Sequence, residues 1–477
     1  MRWRNSLVTC LVAGSMLLVT LLDQAATGAP PAPKPKPKPV PKKLLRNMYT
    51  TLPDNPALHP PLHTVPLARK WRPGGPKQLW TVQLGRGYAG AVIDRGQVFV
   101  LDRVHDRRDV LRCLDLQTGR ELWNCDWRAP GVLPWDGSRI QTAVDKDHVY
   151  CLGPMGDLYC VSRTTHRPVW SHHFRKEFYR GYVPRWGYTQ VPALYDNMVI
   201  VGPMTPTVGL VAYDRKTGKL CWTSRNLGTT FFSHVSPYVT RLCGIDQVIM
   251  LGNLNRRANP PAIISGVSAS TGQLLWQTHT WKRYNMPIPQ PVRVAPDTLF
   301  IAGGYGIGCF GLRVTRQSGL WGTQFTFKDD MNCTPHIHTP LLYQGYIYAQ
   351  SFDAYHNVMN NGLVCLTPGG TLLWKSGPGQ LFGSGPLLIA DGLIFVLHGK
   401  TGELFLVEAT PDGYHPLDHA KVLPAKGGNA WAPMAISPDG KLVLRDLHEM
   451  KCLDVSAADN GSAKGGQTVE PANVERR

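Results

Sequence analysis

The chain is short of acidic residues, with 33 Asp and Glu against 51 Lys and Arg and a formal net charge of +18. That balance favours anionic partners or surfaces. Its eleven cysteines include no Cys-x-x-Cys pair, no Cys-x-x-Cys-His and no two adjacent cysteines. A haem attachment site and a cysteine metal knuckle are therefore excluded. Paired carboxylates are scarce as well. Asp329-Asp330 is the one tempting pair, and two adjacent acids on a loop read as solvated surface rather than the acid and base of a polysaccharide hydrolase.

What is present begins with an export segment. Arg2 and Arg4 precede an uncharged apolar run from Ser6 to Leu22, and Ala26-Thr27-Gly28 supplies small residues for cleavage. Residues 1–28 read as a secretory signal, with an uncleaved anchor as the alternative because the run is marginally long enough to span. Either places the body outside the cytoplasm, in the periplasm or cell envelope, and the anchor would hold it near a membrane by its N-terminus. Residues 29–71 open with alternating Pro and Lys from Ala29 to Lys43. That composition forces an extended polyproline spacer, and the Pro-rich remainder is expected to drape over the body. Residues 456–477 are polar and Gly-rich and are expected to be disordered. Export permits disulfides, but most cysteines sit at apolar strand positions and read as buried thiols. The best local pair is Cys151 with Cys160, which a hairpin turning at Gly153 to Asp157 would set opposite each other.

The body repeats. Leu210 to Asn226 reads as a β-hairpin: Val211 and Tyr213 at strand spacing, an Asp214-to-Gly218 loop, then Leu220 and Trp222. Similar units end at Trp123, Trp170, Trp276, Trp321 and Trp374, and with Trp80 the tryptophans recur about 43 to 54 residues apart. A period of roughly 40–50 residues built from short strands marks a β-propeller blade. Lys77 to Leu84 looks like a last strand without its first three. Ala432 to Val455 gives three strands without the last, so the N-terminal strand is expected to complete the C-terminal blade and close the ring. The count is eight four-stranded blades over residues 77–455, an all-β fold. Blade two has Thr-His where Thr-Gly is usual, and blade seven lacks the Trp.

The repeated Leu-Asp-x-x-Thr-Gly-x-x-Leu-Trp pattern, closest at Gly119 with Trp123, Gly218 with Trp222 and Gly272 with Trp276, resembles the PQQ-type (quinoprotein dehydrogenase-like) propeller repeat. Within that superfamily the chain is most similar to the non-enzymatic outer-membrane-assembly propellers of the BamB type. The resemblance implies that the repeat Trp and Gly residues serve blade packing. It implies for a dehydrogenase member vicinal cysteines, a Ca²⁺ site of Glu, Asn and Asp, and a stacking Trp. No vicinal cysteines are present.

Propeller geometry sorts the loops into two faces. The A–B and C–D turns share one and are tight, as at Asp94 to Gly96 and Ser437 to Gly440. The B–C and D–A loops share the other and are long, including Arg103 to Asp109, Gly252 to Pro261, Ser351 to Gly362 and Arg175 to Tyr188. Long loops on a rigid scaffold are where binding resides. The last of these interleaves Arg175, Arg180 and Arg185 with Tyr182, Trp186 and Tyr188, a pattern that suits an acidic protein, a sugar or single-stranded nucleic acid. Export makes nucleic acid the least expected. Residues two before the inner-strand prolines should ring the channel mouth: Tyr88, Gln190, His338 and Trp431 among them. His336 and His338 share a strand face, a spacing that ligates metals, but no third ligand is evident and no metal is expected.

Three functions follow in order. The first is an exported binding or scaffold propeller, without catalysis or cofactor, engaging an acidic protein or an anionic envelope polysaccharide through the long-loop face. The second is a PQQ-dependent dehydrogenase with quinone and Ca²⁺ in the funnel, which needs a polarising cation and a carboxylate base. The third, a polysaccharide hydrolase or lyase, rests on the weak Asp329-Asp330 pair alone.

Overall fold

The computed structural model describes residues 65–135, 137–178, 183–228, 234–253, 260–284, 286–329, 331–352, 361–426 and 429–458. The expected signal, most of the spacer and the tail from 459 onward lie outside them, as do Arg180, Tyr182 and most of the 252–261 and 351–362 insertions.

Among the described residues the strands form eight four-stranded antiparallel sheets, the blades of a β-propeller. Blade one is Val92–Asp94, Gln97–Val104, Arg108–Asp115 and Glu121–Arg128, and the next six follow the same meander. First strands of neighbouring blades touch, Val92–Asp94 meeting both Ala143–Val144 and Ala435–Ile436. They therefore line the axis, and blade eight closes on blade one. That closing blade is composite. Lys77–Gln83 adds antiparallel to Glu449–Asp454, with Lys77 opposite Asp454 and Trp80 opposite Cys452. Arg445, buried at the end of the second strand of blade eight, donates to the carbonyls of Gly85 and Ala89 at 3.1 and 3.2 Å and so ties the chain entering blade one. Leu67, Ala68 and Trp71 pack into the core of blades seven and eight.

The repeat is explained by what each glycine touches. Asp115 Oδ1 accepts the Thr118 amide and hydroxyl at 2.8 and 2.7 Å, which curls the loop and puts Gly119 at φ +71. There a Cβ would lie 2.7 Å from the Trp80 ring of the preceding blade. Gly218 sits likewise on Trp170 and Gly272 on Trp222. The Trp80 and Trp170 indoles donate onward to the carbonyls of Leu116 and Arg215 at 2.8 and 2.9 Å. The Trp374 indole donates in the same way to Thr410. Each tryptophan thus packs its own blade and locks the next, because only glycine lets the backbone lie flat on the ring at positive φ.

Two departures are informative. In blade two, His166 takes the left-handed φ of +57 where glycine is usual, and its imidazole stacks on Trp123 at 4.6 Å and 8°. In blade five, Trp321 is not the repeat tryptophan. The hairpin is longer, turning between Gln317 and Leu320, so Trp321 pairs with Arg316 near its tip. Phe327, opposite Gly311 at the bulge, takes the tryptophan's place, and a Cβ on Gly370 of blade six would fall 2.3 Å from its ring. Trp276, which finds no Thr-Gly loop in the following blade, turns its indole to Gln247 in its own blade at 2.7 Å.

Cys151 and Cys160, the best local pair in the sequence, are not joined and are buried thiols, as read for most of the cysteines. Cys151 lies opposite Tyr159, and Cys160 opposite Tyr150. Alternation along a strand then sends the two thiols to opposite faces of the sheet, one into the core between blades one and two and the other into the next. Both are free and buried.

Candidate functional site

Residues that precede each first strand arrive at the axial mouth on the face of the B–C and D–A loops. Four segments meet there. Arg445 and the close approach of Gly90 to Pro433, where a Cβ would lie 2.4 Å from the Pro433 carbonyl oxygen, bring the start of blade one against blade eight. Tyr88 and Trp431 are thereby stacked, centroids 5.5 Å apart at 28°. The crossover from blade one to blade two is pinned beside them. Tyr88 N donates to Ser138 O at 2.7 Å, and Gly87 bridges Ser138. This delivers Trp135 to within 5.6 Å of Trp431 and sets the Arg139 guanidinium 5.8 Å from the Tyr88 ring, a cation–π distance. From the far side of the axis comes His336, edge-on to Trp431 at 6.5 Å. Its Nε2 lies 3.0 Å from the Tyr305 hydroxyl, and Gly304 leaves room for its backbone, a Cβ there falling 3.3 Å from the His336 Cα.

Trp431, Tyr88 and His336, each placed at the mouth by the sequence, therefore meet. Trp135, Arg139 and Tyr305 complete the cluster. Sequence reasoning missed them because they sit in crossovers or turns with no repeat register; Trp135 in the long Gly131-to-Ser138 stretch was the available signal. His338 does not join. Its Nε2 is buried without a partner, and burial, with His336 adding, pushes its imidazole down to about 4. His234, bonded through Nδ1 to the Thr189 hydroxyl at 2.6 Å, is pushed down to about 4 by burial, with the Arg139 charge adding. Both are neutral at pH 7. Gln190 is wholly buried and accepts the Gly202 amide at 3.1 Å, so it braces blade three.

The basic-aromatic loop divides in the same manner. Arg175 lies half-buried within the short helix Phe174–Glu177, and beyond it Arg185 is exposed, with its guanidinium 5.1 Å from the Trp186 ring. Tyr188 is turned inward, 1% exposed, donating to Pro203 O at 3.0 Å and packing edge-on against Phe174. The Arg103-to-Asp109 segment is a tight turn rather than a long insertion. His105 and Asp106 turn it at positive φ, and Arg103 and Asp109 point inward as a buried ion pair. Burial raises the Asp109 carboxyl to about 6 against the opposing pull of Arg103, with Asp157 adding; Asp157 is itself held by His173 Nδ1 at 2.8 Å.

In the crossovers between blades the exposed apolar side chains are Val132 at 78%, Met331 at 51% and Trp135 at 41%, of which Trp135 reaches the mouth. Among the described residues no three His, Cys, Asp or Glu side chains are grouped to hold a metal ion.

The sequence profile of the family described as "Outer membrane protein assembly factor BamB" matches residues 106–368, more than half of the chain. The chain belongs to the BamB family. BamB from Moraxella catarrhalis is similar in structure at a TM-score of 0.52 and 12% identity, the match covering 80% of this chain and 99% of that one. The quinohemoprotein alcohol dehydrogenase ADHIIG from Pseudomonas putida is similar at 0.53 and 15%, over 84% of this chain and 78% of that one. A europium-containing methanol dehydrogenase matches at 0.55 and 13%, over 77% and 84%. At these identities the likenesses show the fold that BamB shares with the dehydrogenases, and no more. No curated protein matches the chain by sequence.

Proposed function

We propose that this BamB-family chain is an exported, non-catalytic binding propeller that engages an acidic protein or an anionic envelope polysaccharide through its long-loop face. The observation that carries the reading is the occupation of the axial mouth by the chain's own rings. Trp431 already has Tyr88 stacked on it and Trp135 and His336 at its edges, so the surface left for a partner is the rim: Trp135, Arg185 and Trp186. A net charge of +18 suits an acidic partner. The family's description as an outer membrane protein assembly factor and the export signal read in the sequence both support an envelope location.

The dehydrogenase reading draws on the shared fold. A quinone needs an open aromatic face, a cation to polarise it and a carboxylate base. The donor set at the mouth is Tyr, Trp, His and Arg, and the paired carboxylates Asp109 and Asp157 lie buried in the contact between blades one and two. These residues do not fit a quinone–calcium pair, and no step is derived through one.

The test is capture from envelope extract by the mature protein beside its Arg175→Ala/Arg185→Ala variant. A specific acidic protein or anionic polysaccharide held by the wild type and lost from the variant supports the reading. Equal capture by both, or quinone absorbance that Ca²⁺ retains in the purified protein, overturns it.

A further inference from the structure

Two cysteines far apart in sequence meet in the core. Cys309 begins the third strand of blade five, with Asp329 of the fourth strand opposite it. Asp329 Oδ1 then accepts the amides of Met331 and Asn332 at 2.8 Å each, a side-chain turn that folds the chain back over its own blade. Cys333 is carried onto Cys309. Both side chains are wholly buried as free thiols in one apolar cluster between blades five and six, with Ala302 and Ala349, close enough for each to act on the other electrostatically. Beyond Cys333 the chain is fixed to blade six. Thr334 N donates to Ser351 Oγ at 3.0 Å and Pro335 bridges Phe352, which leads directly to His336 at the axial mouth.

We propose that Cys309 and Cys333 are a cross-link site and form a disulfide when the protein folds in an oxidising compartment. The compartment rests on the exported reading above; the pairing itself rests on geometry. Other buried thiols do not offer it. Cys151 and Cys160, nearest in sequence, face opposite ways. The chemistry is thiol–disulfide exchange with a dithiol–disulfide oxidoreductase, or with oxidised glutathione in vitro. One cysteine thiolate attacks a sulfur of the oxidant's disulfide, forming a mixed disulfide and releasing one oxidant thiolate. The second cysteine thiolate attacks the protein sulfur of that mixed disulfide, forms the Cys309–Cys333 bond and releases the other. Two electrons pass to the oxidant, and the two thiol protons end on its sulfurs. Burial pushes the Cys333 thiol well above its ordinary range in the folded state, so the exchange belongs to folding, before the cluster closes. Once formed, the bond is shielded from attack. It staples the crossover that carries His336 into the aromatic cluster.

The experiment refolds the full chain from denaturant in a reduced and oxidised glutathione mixture. It quenches with acid, alkylates with iodoacetamide under denaturing conditions and maps the digest by mass spectrometry. Expected are a peptide pair joined through Cys309 and Cys333, alkylation of the remaining cysteines, and a melting temperature that falls on reduction in the wild type but not in Cys333→Ser. Alkylated Cys309 and Cys333 in the folded product, or bonds from either to another cysteine, overturn the proposal. Because refolding supplies its own oxidant, that result stands whatever the protein's compartment. Protein recovered from the envelope gives the separate answer: the linked pair there supports export, and its absence there, with the pair formed in refolding, counts against export alone.

Discussion

The two faces of the ring are made by the same strands, yet they are built on different rules. On the face of the A–B and C–D turns the chain says the same thing in blade after blade. At the best-formed copies an Asp curls a loop and a glycine lies on the previous tryptophan, and the Trp80, Trp170 and Trp374 indoles donate to the next blade. Contacts there run between neighbours. On the face of the B–C and D–A loops the contacts cross the axis. Trp431, from the crossover into blade eight, meets Tyr88 of blade one and His336 from the crossover into blade six. The difference teaches where to look for function in this fold: repetition is spent on closing the ring, and the side chains that do not repeat are the ones free to be particular to a partner.

Breaking the repeated face should cost most. Trp170→Ala empties the contact with Gly218 and removes the bond to Arg215, and a loss of about 3–5 kcal/mol is expected in urea unfolding. Beneath the other face, Asp109 supplies a pH signature. Its carboxyl stands at about 6 in the folded protein against 3.8 ordinarily, so the folded state holds the proton more tightly. Stability attributable to this group is then highest below pH 4, falls as pH rises to about 6 and stays level above. The fall is on the order of 3 kcal/mol. In Asp109→Asn that decline should be missing when melting temperatures at pH 4.5 and 7 are compared with the wild type.

Smaller effects sharpen the contrast. Trp135→Ala, at the exposed rim, should change stability by no more than about 1 kcal/mol in the same urea titration while impairing capture of the partner. His166→Gly trades a stacked ring, worth about 0.5–1.5 kcal/mol, for relief of a left-handed backbone costing about 1–2 kcal/mol. The melting temperature should therefore barely move.

How much of this was legible in the sequence follows the same division. The eight blades, the strand that closes the last of them and the ends of each blade could be read because Trp80, Trp123, Trp170, Trp222, Trp276 and Trp374 recur with local turn chemistry. Blade five misled because Trp321 mimics the motif while a longer hairpin shifts the working position to Phe327, a register that only pairing with Gly311 decides. At the site, Tyr88 and Trp431 could be placed by register with the inner-strand prolines, and His336 by its spacing from His338, the residue that the count itself picked and that does not join. Tyr188 and Gln190 could not be told from them, because spacing does not say which way a side chain turns. Cys151 with Cys160 looked plausible from nearness in sequence, whereas the thiols that meet, Cys309 and Cys333, are brought together by a side-chain turn at Asp329 that no periodicity announces.

The central claim is that binding belongs to the long-loop face. The direct measurement compares capture from envelope extract by the wild type, by Arg175→Ala/Arg185→Ala on that face, and by Lys216→Ala/Lys219→Ala on the exposed loop of the opposite face. The account predicts that the first variant loses the captured acidic protein or polysaccharide and the second keeps it. Retention by the first with loss from the second would contradict it.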